Sequence, residues 1–123
     1  MIIQALEKPF SICSFRQDAP VDLNKFGVAF FAHTDEGCSV ICPSDVSRND
    51  GWRAVRIAPP VNREMLGVLL DLAKIFASAE VSVVPASTFE TMYFFLRSDG
   101  YLRALQSLQE NGYKVEMTYL QGK

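Results

Sequence analysis

At 123 residues, 49% of them hydrophobic and 21% charged, with six prolines, the chain has the composition of one globular domain rather than a disordered or fibrous segment. Twelve Lys and Arg against fourteen Asp and Glu give a net charge of -2. That balance offers no electrostatic footprint for a phosphate backbone or an anionic membrane, so neither nucleic acid nor membrane is expected as a partner.

The start, MIIQALEKPF, lacks the basic residues and long apolar stretch of a secretory signal, and no window approaches the ~18 uninterrupted apolar residues of a membrane span. A cytoplasmic protein is expected. Its cysteines, Cys13, Cys38 and Cys42, fall in runs that read as strands. Cys38 and Cys42 share a face of one run but lie about 13 Å apart on strand geometry, too far for a disulfide. Buried structural thiols are expected, and no metal site.

Residues 10–15 (FSICSF) read as a strand, and 28–35 followed by 38–42 as a hairpin with Glu36-Gly37 at its turn. The stretch 16–26 has room for a turn or two of helix. Pro43 and the polar run 44–51 mark a boundary, dividing the chain into 1–50 and 51–123. Beyond it WRAVRIA (52–58) is a strand, with Val55 and Ile57 on one face and Arg56, between Ala54 and Ala58, on the other.

Asn62 stands as an N-cap before a helix over 63–79, whose Leu66, Leu69, Leu70, Ala73, Phe76 and Ala77 follow helical spacing. Leu69 and Leu70 are expected to be buried. The polar residues Glu64, Asp71, Lys74 and Ser78 occupy a narrow arc, so this helix needs both a sheet beneath it and a neighbour beside it. VSVVP (81–85) and TMYFFLR (91–97) are strands, the second apolar throughout and therefore central. Asp99 caps a second helix with a Leu102, Leu105, Leu108 stripe, closed by Asn111-Gly112. In the last strand, 114–120, Val115, Met117 and Tyr119 point inward. Residues 52–120 thus read βαββαβ, the ferredoxin-like α+β unit, and 10–42 read as a weak echo of its first half.

Gly51-Trp52-Arg53-Ala54-Val55-Arg56, Gly67-Val68-Leu69 and Ser87-Thr88-Phe89-Glu90-Thr91, in this order, resemble the small bacterial ACT domain proteins, themselves similar to the regulatory ACT modules of aspartate kinase and of cytosolic arginine sensors. The resemblance implies an ACT domain at 51–123, preceded by a truncated ACT-like half at 1–50. It further implies a non-catalytic regulatory protein, without cofactor, that binds a small-molecule effector, an amino acid by class, where two domains meet, as in a homodimer. On this resemblance the ligand lies between Asn62, Gly67 and Val68 on one side and Ser87, Thr88, Phe89 and Glu90 on the other.

The chemistry suits a zwitterion: a helix N-terminus attracts a carboxylate, a glycine permits close approach, and hydroxyls orient the ligand. Relatives often carry an aspartate where this chain has Met92, leaving Glu90 and Asn62 to meet an α-ammonium. Gly67 also reads as a site of close helix packing, and Ser87 to Glu90 as a plain polar turn. The alternative function is a structural, self-associating module with no ligand. His33, the only histidine, has no partner that would make it a catalyst.

Overall fold

The computed structural model describes residues 1–16, 26–44, 51–58 and 65–120. Seven strands and two helices run in the order β1 (Ile2–Phe15), β2 (Phe30–Thr34), β3 (Gly37–Pro43), β4 (Trp52–Ile57), α1 (Met65–Ser78), β5 (Val83–Ser87), β6 (Met92–Arg97), α2 (Tyr101–Glu110) and β7 (Lys114–Thr118). The strands form one sheet in the order β2-β3-β1-β4-β6-β5, with β7 hydrogen-bonded to β1.

β1 organises this sheet. On one side it pairs antiparallel with β4, Ile3 opposite Ile57 and Phe10 opposite Trp52. On the other it pairs first with β7, parallel, through residues 2–6, and then with β3, antiparallel, through residues 10–15. Between Ala5↔Val55 and Pro9↔Arg53, three residues of β1, Leu6 to Lys8, face one of β4, Ala54. That surplus is a bulge, and bulges bend and twist the strand that carries them. Pro9 fits there because it has no N–H to offer a ladder. The freed carbonyls of Leu6 and Glu7 accept hydrogen bonds from Arg53 Nη2, both at 3.4 Å.

The ferredoxin-like βαββαβ ACT domain, with its truncated ACT-like half, is overturned by this pairing. A ferredoxin-like sheet needs the last strand beside β4, and here β1 fills that edge, so β7 pairs with β1 instead. The molecule is a mainly antiparallel, curled half-barrel with two helices. The N-terminal strand begins at Ile2, eight residues before the expected one. The predicted short helix within 16–26 and the polar run 44–51 fall largely, and the Asn62 cap entirely, outside the described residues.

The sheet buries both faces. Under the helices, Ile3, Ala5, Val55, Ile57, Leu72, Phe76, Phe94, Leu96 and Leu108 form one core. On the opposite face Leu6, Phe10, Ala54, Tyr93 and Phe95 form a second, with Val28, Phe30 and Ile41 folded onto it by the curl. Phe30 meets Tyr93 and Phe95 edge-on, at 5.0 and 5.7 Å between ring centres. β6 lies between β4 and β5 and is buried from Met92 to Leu96, which explains its unbroken apolar run.

The helices depart from the expected faces. In α1, Leu69 packs on the core, but Leu70 is 62% exposed. Asp71, Lys74 and Ser78 line a cleft with Ser107 and Glu110 of α2 and Asn111 just past its end, so polar residues face each other across the helix pair and leucines turn outward. α2 starts after a 3₁₀ turn at Ser98–Gly100 with Gly100 at its N-cap and no side-chain cap, which removes the role given to Asp99. It buries Tyr101, Ala104 and Leu108, while Leu102 is 77% exposed. Met117 and Tyr119, expected inward, are exposed as well.

Candidate functional site

α1 begins at the end of the sheet where β4 finishes, and the neighbouring backbones are tied there. Ala58 N–H donates to Ile2 O at 3.0 Å, and Lys114 N–H to Met1 O at 3.2 Å. Beside these ties lies a surface groove of about 560 Å³, lined by Met1, Gly67, Val68, Asp71, Asn111, Gly112 and Tyr113. Gly67 and Val68 lie within the first four residues of α1, near the positive end of the helix.

Gly67 decides between its two readings. A Cβ at that position would meet no atom within 4 Å, so close helix packing does not require a glycine there. A glycine inside a helix costs roughly 0.5–1 kcal/mol relative to alanine, and here nothing in the packing offsets it. One turn further on, the Tyr113 hydroxyl donates a hydrogen bond to the Asp71 carboxylate, fixing a negative group on the groove wall. Asn111, past the end of α2, anchors its amide on Ser107 O at 2.8 Å, and Gly112 turns the chain with φ +91°.

The second half of the expected site lies elsewhere. Ser87, Thr88, Phe89 and Glu90 form the β5–β6 turn, at the same end of the sheet but on the other side of β4, and none of them lines the groove. The turn is closed on itself. Thr88 N–H donates to Thr91 O at 2.8 Å, and the Thr88 hydroxyl accepts from Glu90 N–H at 3.2 Å and Thr91 N–H at 3.0 Å. It also donates to Thr91 O at 3.2 Å. A hydroxyl with so many local partners is a turn builder. Thr91, buried, donates to Ile57 O at 2.6 Å and pins the turn to the end of β4. Phe89 is fully exposed.

Asp71, Asn111 and Tyr113 escaped the sequence reading as site residues. By spacing alone Asp71 belongs to the wet arc of α1, and the signal that points to it is its position four residues after Gly67, one helical turn along the same face. Among the described residues no group of three or more His, Cys, Asp or Glu is arranged to hold a metal. Cys38 is buried, and Cys13 and Cys42 are half-buried. His33 is exposed beside Phe31.

No protein-family model matches the chain, and no curated protein matches it. Its fold is similar to that of solved bacterial proteins. A protein from Agobacterium tumefaciens superimposes with a TM-score of 0.79 at 16% identity, covering 98% of this chain and 96% of the other. A protein of unknown function from Vibrio cholerae, described as a possible transport protein, gives a TM-score of 0.70 at 16% identity over 89% of this chain and 88% of the other. Likeness at that identity defines a shared architecture, the curled sheet with two helices. No helix among the described residues is long and apolar enough to cross a membrane.

Proposed function

We propose that the chain is a non-catalytic small-molecule-binding protein whose effector, an amino acid by class, occupies the groove lined by Gly67, Val68, Asp71, Asn111 and Tyr113. The observation that carries this reading is Gly67, a glycine in the first turn of α1 that packing does not demand and that leaves the groove open. Asp71 supports it by supplying the negative group for an α-ammonium that Met92 cannot supply. The first turn of α1 offers the positive end suited to an α-carboxylate. The amino-acid class itself comes from the sequence motifs.

A thermal-shift screen against the twenty amino acids tests the reading. A ligand at a hundred times its dissociation constant stabilises a one-site protein by about 2.7 kcal/mol, which in a domain of this size raises Tm by several degrees. Gly67→Val is expected to remove the response, and Asp71→Asn to weaken binding by about tenfold or more. Absence of any shift across the set contradicts the proposal.

A second reading, a self-associating module that forms a homodimer, is favoured by the outward-facing Leu66 and Leu70 of α1. Sedimentation at high micromolar concentration is expected to give a dimer that Leu66→Gln with Leu70→Gln converts to monomer. A monomeric wild-type protein contradicts this reading.

A further inference from the structure

The sheet face away from the helices carries a polar row beside its apolar cluster. In register across four strands stand Glu116 of β7, Gln4 of β1, Arg56 of β4 and Tyr93 of β6. Arg56 Nε donates to Gln4 Oε1 at 2.7 Å, and Nη1 donates to the Tyr93 hydroxyl at 2.8 Å, with the guanidinium 5.6 Å from the Tyr93 ring centre. Tyr93 is only 8% exposed. Glu116 is two strands from Arg56, roughly 9–10 Å across the sheet, and its carboxylate pairs with Lys114 at 3.4 Å. No carboxylate among the described residues pairs with Arg56.

The hydrogen-bond inventory of this cluster is one-sided. A guanidinium has five N–H donors and no acceptor. Two are used, on the Gln4 carbonyl and the Tyr93 oxygen, so the two acceptors nearest the cation are occupied. What the cluster still presents is donors: three guanidinium N–H groups, the Tyr93 O–H and the Gln4 amide N–H₂. A half-buried cation whose two partners are neutral lacks an anion, and a planar carboxylate matches the free fork of an arginine. The surroundings define the rest of the ligand. Phe30 stands edge-on to Tyr93, and Ala86 of β5 lies opposite Tyr93 in the ladder.

We infer that Arg56, Tyr93 and Gln4 form a second binding site, on the sheet face opposite the helices, for a small monocarboxylate with an apolar or aromatic tail. The carboxylate accepts from the Arg56 fork and from the Tyr93 hydroxyl, and the tail lies toward Phe30. This site shares no residue with the groove at Gly67, so either can fail alone.

The test is an NMR titration of the folded chain with sodium benzoate, sodium acetate and inorganic phosphate, read at the Arg56 side-chain Nε–H and the Tyr93 ring. The expected result is a saturable shift at both groups, with benzoate tightest and half-saturation in about the millimolar range. Tyr93→Phe, which keeps the ring, is expected to weaken benzoate by about threefold to tenfold, the loss of one hydrogen bond. Arg56→Gln is expected to abolish saturation, with circular dichroism to verify that the variant is folded. If Arg56→Gln does not fold, the Tyr93→Phe titration decides alone, and unchanged affinity there overturns the site. So does the absence of a saturable shift with all three anions, tighter binding of phosphate than of benzoate, or benzoate shifts confined to the groove amides of Gly67 and Asn111.

Discussion

Tyr101 is 5% exposed, its hydroxyl is buried without a partner, and the Arg53 guanidinium lies over its ring at 4.5 Å. Burial raises its pKa above the usual value of 10.0, and the charge on Arg53 partly opposes the rise. A phenol whose folded pKa is raised keeps its full contribution to stability below the unfolded value and loses it as pH rises from about 10 through the folded pKa. Urea midpoints of the wild type are therefore expected to drop above pH 10 more steeply than those of Tyr101→Phe. At pH 7 the variant should be within about 0.5 kcal/mol of wild type or more stable, since the hydroxyl has no hydrogen bond to lose. A loss above about 1 kcal/mol at pH 7 would reveal an undetected partner.

Two threonines at the β5–β6 turn make opposite demands on their hydroxyls. Thr91 spends its own on one buried carbonyl, and Thr88 on the turn backbone. Thr91→Val is expected to cost about 1–3 kcal/mol because Ile57 O is left buried and unpaired. Thr88→Val is expected to cost about 0.5–1.5 kcal/mol of stability while leaving amino-acid affinity unchanged, which equilibrium unfolding and ligand titration measure separately. The Ser-Thr-Phe motif was legible as a feature of the chain. Its role was not, because one residue string encodes either a ligand hydroxyl or a closed turn, and only the positions of Thr91 O and the two N–H groups distinguish them.

Among the elements, the glycines of the two helices behave in opposite ways. A Cβ at Gly100 would lie 2.9 Å from Val81 Cγ2, so Gly100→Ala is expected to destabilise by about 1–3 kcal/mol, whereas Gly67→Ala is expected to stabilise by about 0.5–1 kcal/mol. Chemical denaturation of both variants checks the pair, and opposite signs are the diagnostic. Helix existence was readable from spacing, as in α1, where Leu69, Leu72 and Phe76 repeat toward the core. Helix facing was less so. Both the 101, 104, 108 set and the 102, 105, 108 set of α2 have helical spacing, and Arg103, bonded to Ala79 O and Glu80 O at the end of α1, fixes which one turns inward.

At the scale of the molecule, the strand least visible in the sequence determines the architecture. Glu7-Lys8-Pro9 breaks the apolar alternation of residues 2–15, and the bulge at Leu6 to Lys8 lets one strand serve β4, β7 and β3 in turn. Local periodicity cannot report which strand pairs with which, so the βαββαβ order of 52–120 was read correctly while its ferredoxin-like pairing was not. The fragment 51–123 lacks β1, and with it Ile3, Ala5 and Leu6, each 1% exposed or less in the whole chain. It is expected not to melt cooperatively by calorimetry, since it leaves the inner edges of both β4 and β7 unpaired.

The most direct measurement of the functional account is an amide NMR titration of the full chain with the amino acid that shifts Tm most. Saturable shifts centred on Gly67, Val68, Asp71, Asn111 and Tyr113, lost in Gly67→Val while the fold persists, are the result predicted. Contradiction would be shifts centred on Ser87 to Thr91, or binding that Gly67→Val leaves at wild-type strength.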